Sequence, residues 1–467
     1  MLKYGRNIRK LVVIASSVVI MAHILCASSA SALNDQIDAK DEQARINDKV
    51  ARLKKELEGV RDLTFKKSVN LAVKQREEIR SLIEGMISRE YPSGKLGILK
   101  KSLVELGFIS GDVDLRRIFI DFYSSETAGF YDLLGSTLCI AADSLPEEVA
   151  QESPGEGDAN EILRENLGIS LGDLAIFHEL QHALADQNFN FKSLVGNAVA
   201  DFDRELSIMS VFEGDAYLSN LILIFSPLGI EAEVVRSEFA GTELLDEGKR
   251  AFREDLTGKY PSYFIATFLF PYHEGLDFVK EIYKTAKWEG VNSLYIAPPL
   301  STEQILHPKK YMKEKDIPKE VQLRNILPAL GKNWKVILKD TLGEFRMYLL
   351  IDQMLGKNDT ALLASEGWGG DAYALYEDDR GEVVLSLSTV WDSEKDAQEF
   401  WEAFTRSLLA ASYKVIQKTD KKAKNIESFI KDNREVMLKL EANSVEVLKA
   451  SPEIIRKILA TGQNASK

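Results

Sequence analysis

Residues 178–182 read His-Glu-Leu-Gln-His, and no other stretch of the 467-residue chain constrains its fold so tightly. On a helix, two histidines four positions apart leave the same face about 6 Å from each other, so both imidazoles can reach one cation. Glu179 is turned roughly a hundred degrees from His178 around the axis. It can therefore approach a water held by that cation without entering the coordination sphere. The flanks favour a helix. Ser170 with Asp173 has the pattern of a capping box, and Leu171, Leu174 and Ala175 continue the histidine face upstream. Neither Gly nor Pro interrupts residues 173–187. The chain has five histidines in all, so this spacing beside a glutamate is an improbable accident. The plainer alternative is a pair of packing or solvent-facing histidines on an amphipathic helix.

A catalytic zinc takes a third protein ligand and leaves its fourth position to water. His-Glu-x-x-His followed by a glutamate on a second helix resembles the gluzincin class of zinc peptidases. That resemblance implies one zinc ion (Zn2+) held by His178, His182 and Glu213, with Glu179 as general base. Glu213, in SVFEGDAYLSN, follows His182 by thirty-one positions. Its neighbours Val211, Phe212, Gly214 and Ala216 suit a buried ligand, whereas Asp201, Asp203, Glu205 and Asp215 are the competitors. The metzincin pattern fails: Asp186 and Asn188 follow, with neither a glycine nor a third histidine there. Thermolysin-like gluzincins carry an Asp four residues after the glutamate ligand, where this chain has Tyr217. Asp186 and Asp215 are left as candidates to orient a histidine.

HELQHALADQNF, EGDA, AGFYD, PPLSTEQILHP and SEGWGGDAY together resemble a family of largely uncharacterised bacterial exported HExxH proteins, over roughly residues 96–410. The resemblance implies a metallopeptidase-like domain and supplies no substrate. A donor for a developing oxyanion is sought among His307, in the loop-like STEQILHPKKY, and His273 or Tyr272, in FPYHEG. AGFYDLLGSTLCIA reads as a β-hairpin turning near Gly135, either an edge strand that pairs with extended substrate or a packing strand. GWGGDAY lacks the lysine of a phosphate loop and reads as a turn with a packed Trp368.

The first thirty-two residues differ in kind. Lys3, Arg6, Arg9 and Lys10 precede an apolar run to Cys26, and ASSASA ends at Ala32. This is the pattern of a secretory signal peptide, with an N-terminal membrane anchor as the alternative. The expectation is an exported protein, periplasmic or secreted, with no stable membrane insertion once the signal is cleaved. The formal charge is −13, and −17 without those residues, which disfavours nucleic acid and anionic lipid as partners. Of two cysteines only Cys139 then remains, in the apolar TLCIAA, so it reads as a buried inert thiol.

Ile46, Val50, Leu53, Leu57 and Val60 mark a helix with one apolar seam, too short for a coiled coil. Helices are expected near 79–87, 95–108, 114–123, 170–187 and 199–224, with NFNFKSLVGN as a loop between the last two. A boundary is set near residue 325, after a Lys-rich stretch. Beyond it come a helix near 341–355, strands AYALYE and EVVLSLSTV, a helix near 396–409, a hairpin of VMLKLE and VEVLKA, and a helix after Pro452.

The expected protein is α+β. A signal peptide (1–32) precedes an N-terminal helical region (33–95), a mainly helical zincin-like core with a small hairpin (96–325), and a C-terminal α+β domain (326–467). The expected activity is hydrolysis of a peptide or protein substrate. The alternatives are a non-catalytic zinc-containing envelope protein that binds partners, and a zinc amidase acting on a non-peptide amide.

Overall fold

The computed structural model describes residues 39–92, 94–125, 129–142, 163–165, 167–198, 201–228, 250, 253–356, 359–418 and 425–464. The signal-peptide pattern lies outside them, as do most of residues 146–165. In chain order the main elements begin with α1 (Ala39–Arg61), β1 (Asn70–Lys74), α2 (Arg76–Glu90), α3 (Lys95–Leu106), α4 (Leu115–Ser125), β2 (Gly129–Asp132) and β3 (Thr137–Ala141). Next are α5 (Leu171–Phe189), α6 (Phe191–Gly196), α7 (Phe202–Phe225), α8 (Ser262–Leu294) and α9 (Thr302–Leu306). Then follow β4 (Trp334–Asp340), α10 (Gly343–Leu355), α11 (Asp359–Ser365), β5 (Trp368–Asp378), β6 (Val383–Trp391) and α12 (Glu394–Ala410). The chain closes with β7 (Lys414–Lys418), β8 (Asn425–Lys431), β9 (Arg434–Glu441), β10 (Ser444–Ala450) and α13 (Pro452–Asn464). The fold class is α+β.

Two compact units emerge, and their borders differ from the expected ones. The first takes residues 1–92, 114–197 and 208–298; the second takes 93–113, 198–207 and 299–467. The break therefore falls at Pro298–Pro299 rather than near 325. The segment after it is fastened into the second unit: Thr302 bonds Asp203, and the Lys319 N–H donates to the Gly369 carbonyl. Likewise α3 belongs to the second unit, where Ser102 meets Tyr373 and Glu105 pairs with Arg434.

In the first unit, the seam of α1 is buried as its periodicity requires. Ile46, Val50, Leu53 and Leu57 pack with Leu138 and Ile140 of β3 and with Ile176, Phe177, Leu180 and Leu184 of α5. The N-terminal helix is thus part of the core that carries the His-Glu-x-x-His helix, not a separate region. A three-stranded sheet has the order β1-β3-β2, with β1 parallel and β2 antiparallel to β3. The hairpin turns at Gly135 as expected, and β2 is an edge.

The second unit is built on a seven-stranded antiparallel sheet of order β4-β5-β6-β10-β9-β8-β7. Ala374, Tyr376, Val384, Met437 and Leu448 pack with Ile454, Ile455 and Ile458 of α13 in one core cluster. Trp368 is buried, but it opens β5 instead of sitting in a turn. Its indole N–H donates to Asp371 at 2.9 Å.

Among the described residues one helix, α7, is long and apolar enough to cross a membrane; it is largely buried inside the protein.

Candidate metal centre

α5 starts where the capping pattern places it. The Asp173 N–H donates to Ser170 Oγ at 3.1 Å, and the Ser170 N–H donates to Asp173 Oδ2 at 2.9 Å. Every residue from Asp173 to Ala185 is buried, so this helix runs through the core and not over its surface. Asn190 ends it in the left-handed conformation (φ 53°), which turns the chain back. The expected loop that follows contains the short α6, whose Phe191 is fully buried. α7 then returns antiparallel to α5. Asn220 donates to the Leu174 carbonyl at 3.3 Å, Gln181 donates to Asp215 at 2.7 Å, and Glu213 meets the two histidines.

The three expected ligands converge. His178 Nε2 lies 3.0 Å and His182 Nε2 3.3 Å from the same atom, Glu213 Oε2. With bonds of 2.0–2.1 Å, the donors of a tetrahedral zinc stand about 3.3 Å apart, so the observed spacing fits that ion. The donor set fits as well: two imidazoles and one carboxylate, all buried, with Glu179 close by. Burial opposes ionisation of Glu213, but the charges and hydrogen bonds of His182 and His178 prevail and hold its carboxyl well below the usual range. His182 is raised in turn: burial lowers it, and the surrounding Glu213, Glu179 and Asp215 outweigh that.

Aromatic rings hold the imidazoles. His182 stacks on Phe212 at 3.9 Å between centroids, and Phe212 stacks on Phe191 at 3.6 Å. His178 meets Tyr217 edge-on at 5.7 Å and Tyr272 at 6.4 Å. Tyr217, in the place where thermolysin-like gluzincins have an aspartate, packs on the ring of His178, an expected ligand, instead of accepting its proton. The two acids proposed to orient a histidine are engaged elsewhere. Asp186 accepts from the Tyr131 hydroxyl and the Lys192 N–H, and Asp215 is bound by Arg61, Gln181 and Tyr295. His182 Nδ1 has no hydrogen-bond partner among the described residues.

Glu179 Oε2 accepts the Tyr131 N–H at 2.7 Å. The edge strand β2 thus turns a main-chain donor away from β3 and toward the carboxylate expected to act as base.

Of the three candidate oxyanion donors, Tyr272 and His273 belong to the first unit and His307 to the second. Tyr272 sits beside His178 on α8, and burial, with Glu213 and Glu179 nearby, pushes its hydroxyl well above the normal range, so it keeps its proton. His273 is buried on the same helix. His307 belongs to the second unit, where its Nε2 meets Glu344 Oε1 at 2.8 Å and that hydrogen bond raises its pKa. Sequence reasoning did not assign the helix that carries Tyr272, because Pro271, Gly275 and Gly290 break its pattern. One of those breaks, Gly275, serves packing together with Gly214 of α7. A Cβ on Gly214 would lie 2.3 Å from the Gly275 carbonyl oxygen, and one on Gly275 would lie 2.3 Å from that of Ser210. The backbones of α7 and α8 touch there, one residue from Glu213 and three from Tyr272. Cys139 is buried in β3, and burial pushes its thiol up to about 11, so it is neither nucleophile nor ligand.

Comparison with known proteins adds little to this geometry. A family described as a domain of unknown function (DUF8575) matches residues 335–456, within the second unit. No curated protein matches the chain. A solved structure described as "a putative hydrolase with a novel fold" from Chloroflexus aurantiacus is similar at a TM-score of 0.37 and 16% identity, over 66% of this chain and 98% of that one.

Proposed function

We propose that the protein is an exported zinc-dependent hydrolase of the gluzincin kind, a metallopeptidase acting on peptide or protein substrates. The observation that carries this reading is the meeting of His178 Nε2 and His182 Nε2 at one oxygen of Glu213, inside the core. Three protein ligands without cysteine suit a catalytic zinc better than a structural one, which usually takes four. A zinc ion bound there supplies a Lewis acid and a water acidified toward neutrality.

The chain's own groups provide the rest. Glu179 takes the proton from the attacking water and later gives it to the leaving amine. Its hydrogen bond to the Tyr131 N–H fixes the carboxylate, and the β2 edge offers main-chain groups to an extended peptide. Tyr272 keeps its hydroxyl proton and donates a hydrogen bond through it to the oxyanion that forms on the carbonyl.

Glu179→Gln and Tyr272→Phe test these roles against a mixed peptide library, with zinc content measured in parallel. Both variants should hold one zinc per chain. The first should lose at least about a thousandfold in kcat and the second about a hundredfold. Undiminished hydrolysis by Glu179→Gln, or no zinc in the wild-type chain, overturns the reading.

A further inference from the structure

Behind the ligands lies a second cluster that sequence reasoning did not detect. Arg61, the last residue of α1, and Asp215, two residues after Glu213, are both fully buried. Arg61 Nε and Asp215 Oδ1 form an ion pair at 3.0 Å, and Arg61 Nη2 donates to Asp215 Oδ2 at 3.1 Å. Asp215 Oδ2 also accepts from Gln181 Nε2 at 2.7 Å and from the Tyr295 hydroxyl at 2.8 Å. The guanidinium donates to Asn292 Oδ1 at 2.8 Å and lies 4.1 Å from the centre of the Trp288 ring.

This arrangement is built at some cost. Trp288 and Asn292 follow a break in α8, where Lys287 adopts φ 50° and ψ −151°, a conformation that disfavours a side chain. Gly290 makes room for the bend, since a Cβ there would lie 2.7 Å from that of Ala286. A buried ion pair is weak evidence for stability, because a well-packed apolar pair often serves as well. What such a pair does fix is geometry. Gln181 lies between His178 and His182 on α5, and Asp215 follows Glu213 on α7, so their hydrogen bond ties together the two helices that supply all three ligands. One step along a helix is 1.5 Å, whereas zinc tolerates about 0.2 Å in its ligand distances.

We propose that Arg61, Asp215 and Gln181 are positioning residues of the metal centre. Arg61 holds Asp215, Asp215 holds Gln181, and the chain of contacts sets the register of α7 on α5 that delivers Glu213 to the imidazoles. This rests on the zinc reading above. It also makes α1 a part of the centre.

The test compares the wild-type chain with Arg61→Met, Asp215→Leu, the double variant and Gln181→Leu. Zinc affinity is measured by chelator competition, the visible spectrum is read with Co2+, and melting is followed without metal. Each single change at Arg61 or Asp215 should lower the melting temperature by stranding a buried charge. The double variant should recover much of that temperature while zinc affinity stays at least about tenfold weaker and the Co2+ spectrum shifts. Gln181→Leu leaves the ion pair intact and should weaken zinc to a similar degree, which covers a double variant that fails to fold. Wild-type affinity and spectrum in the double variant or in Gln181→Leu overturn the proposal and leave the zinc reading standing. A wild-type chain that binds no zinc overturns both.

Discussion

Each unit gathers charged side chains around one point, and the two do so by opposite means. In the second unit Lys310 Nζ lies 2.6 Å from Glu303, 2.9 Å from Asp316 and 2.9 Å from Asp392. Three acids face three N–H bonds, so the cluster already contains its cation. In the first unit His178 and His182 bring their ring nitrogens to the carboxylate of Glu213. His178, Glu179 and His182 in the first unit, and Glu303, Asp316 and Asp392 in the second, are close enough together to hold a metal ion. The second sets an ammonium among its carboxylates, whereas the first, proposed above as the zinc site, sets imidazoles against one carboxylate.

Exchanging a glutamate in each cluster should separate them most sharply. Glu213→Ala is expected to weaken zinc by more than about a hundredfold, beyond the loss typical of an outer partner, while Glu303→Ala leaves zinc affinity unchanged. Chelator competition on both variants checks this, and equal losses would erase the contrast. Lys310→Met comes next. It strands Glu303 and its neighbours without their ammonium and should destabilise the protein by about 3 kcal/mol in denaturant unfolding, with zinc content unaltered.

The smallest expected effect is in pH dependence. Burial raises Asp371 from 3.8 to about 7 and Glu303 from 4.5 to about 8. A carboxyl whose folded pKa exceeds its unfolded one binds protons more tightly when folded, so stability falls as pH rises between the two values. The contribution is whole below about pH 4 and fades up to about pH 8. The melting temperature should therefore drop by at least about 3 °C from pH 5.5 to 8.5, and Glu303→Gln should flatten the upper part of the decline. A wild-type curve that is flat or rising would contradict the direction assigned to these buried acids.

The same contrast explains what was legible in the sequence. His178, Glu179 and His182 were visible because one helix turn fixes their geometry, and Ser170 and Asp173 announced where that helix starts. Glu213 was visible only through a resemblance that says which type of residue returns on the next helix. Arg61 was not visible, since it reaches Asp215 across 154 positions and nothing local distinguishes it from the other basic residues of α1. Tyr272 was named, but its helix was missed because a proline and two glycines obscure the periodicity. In the second unit β5, β6, β9 and β10 carry apolar runs long enough to be read, whereas β4, β7 and β8, toward the ends of the sheet, do not stand out. His307 draws notice by its setting before Pro308, and that setting gives no sign of Glu344, thirty-seven residues on.

The contact of Gly214 with Gly275 has a consequence for how the protein can change. Where two helices meet through side chains, a swap of one methyl for another is absorbed by a rotamer. Here main chain rests on main chain, and there is nothing to rearrange. Even an alanine at either position would wedge the helices apart by roughly an ångström and carry Tyr272 away from His178. The reach of the tyrosine is thus governed by two hydrogen atoms.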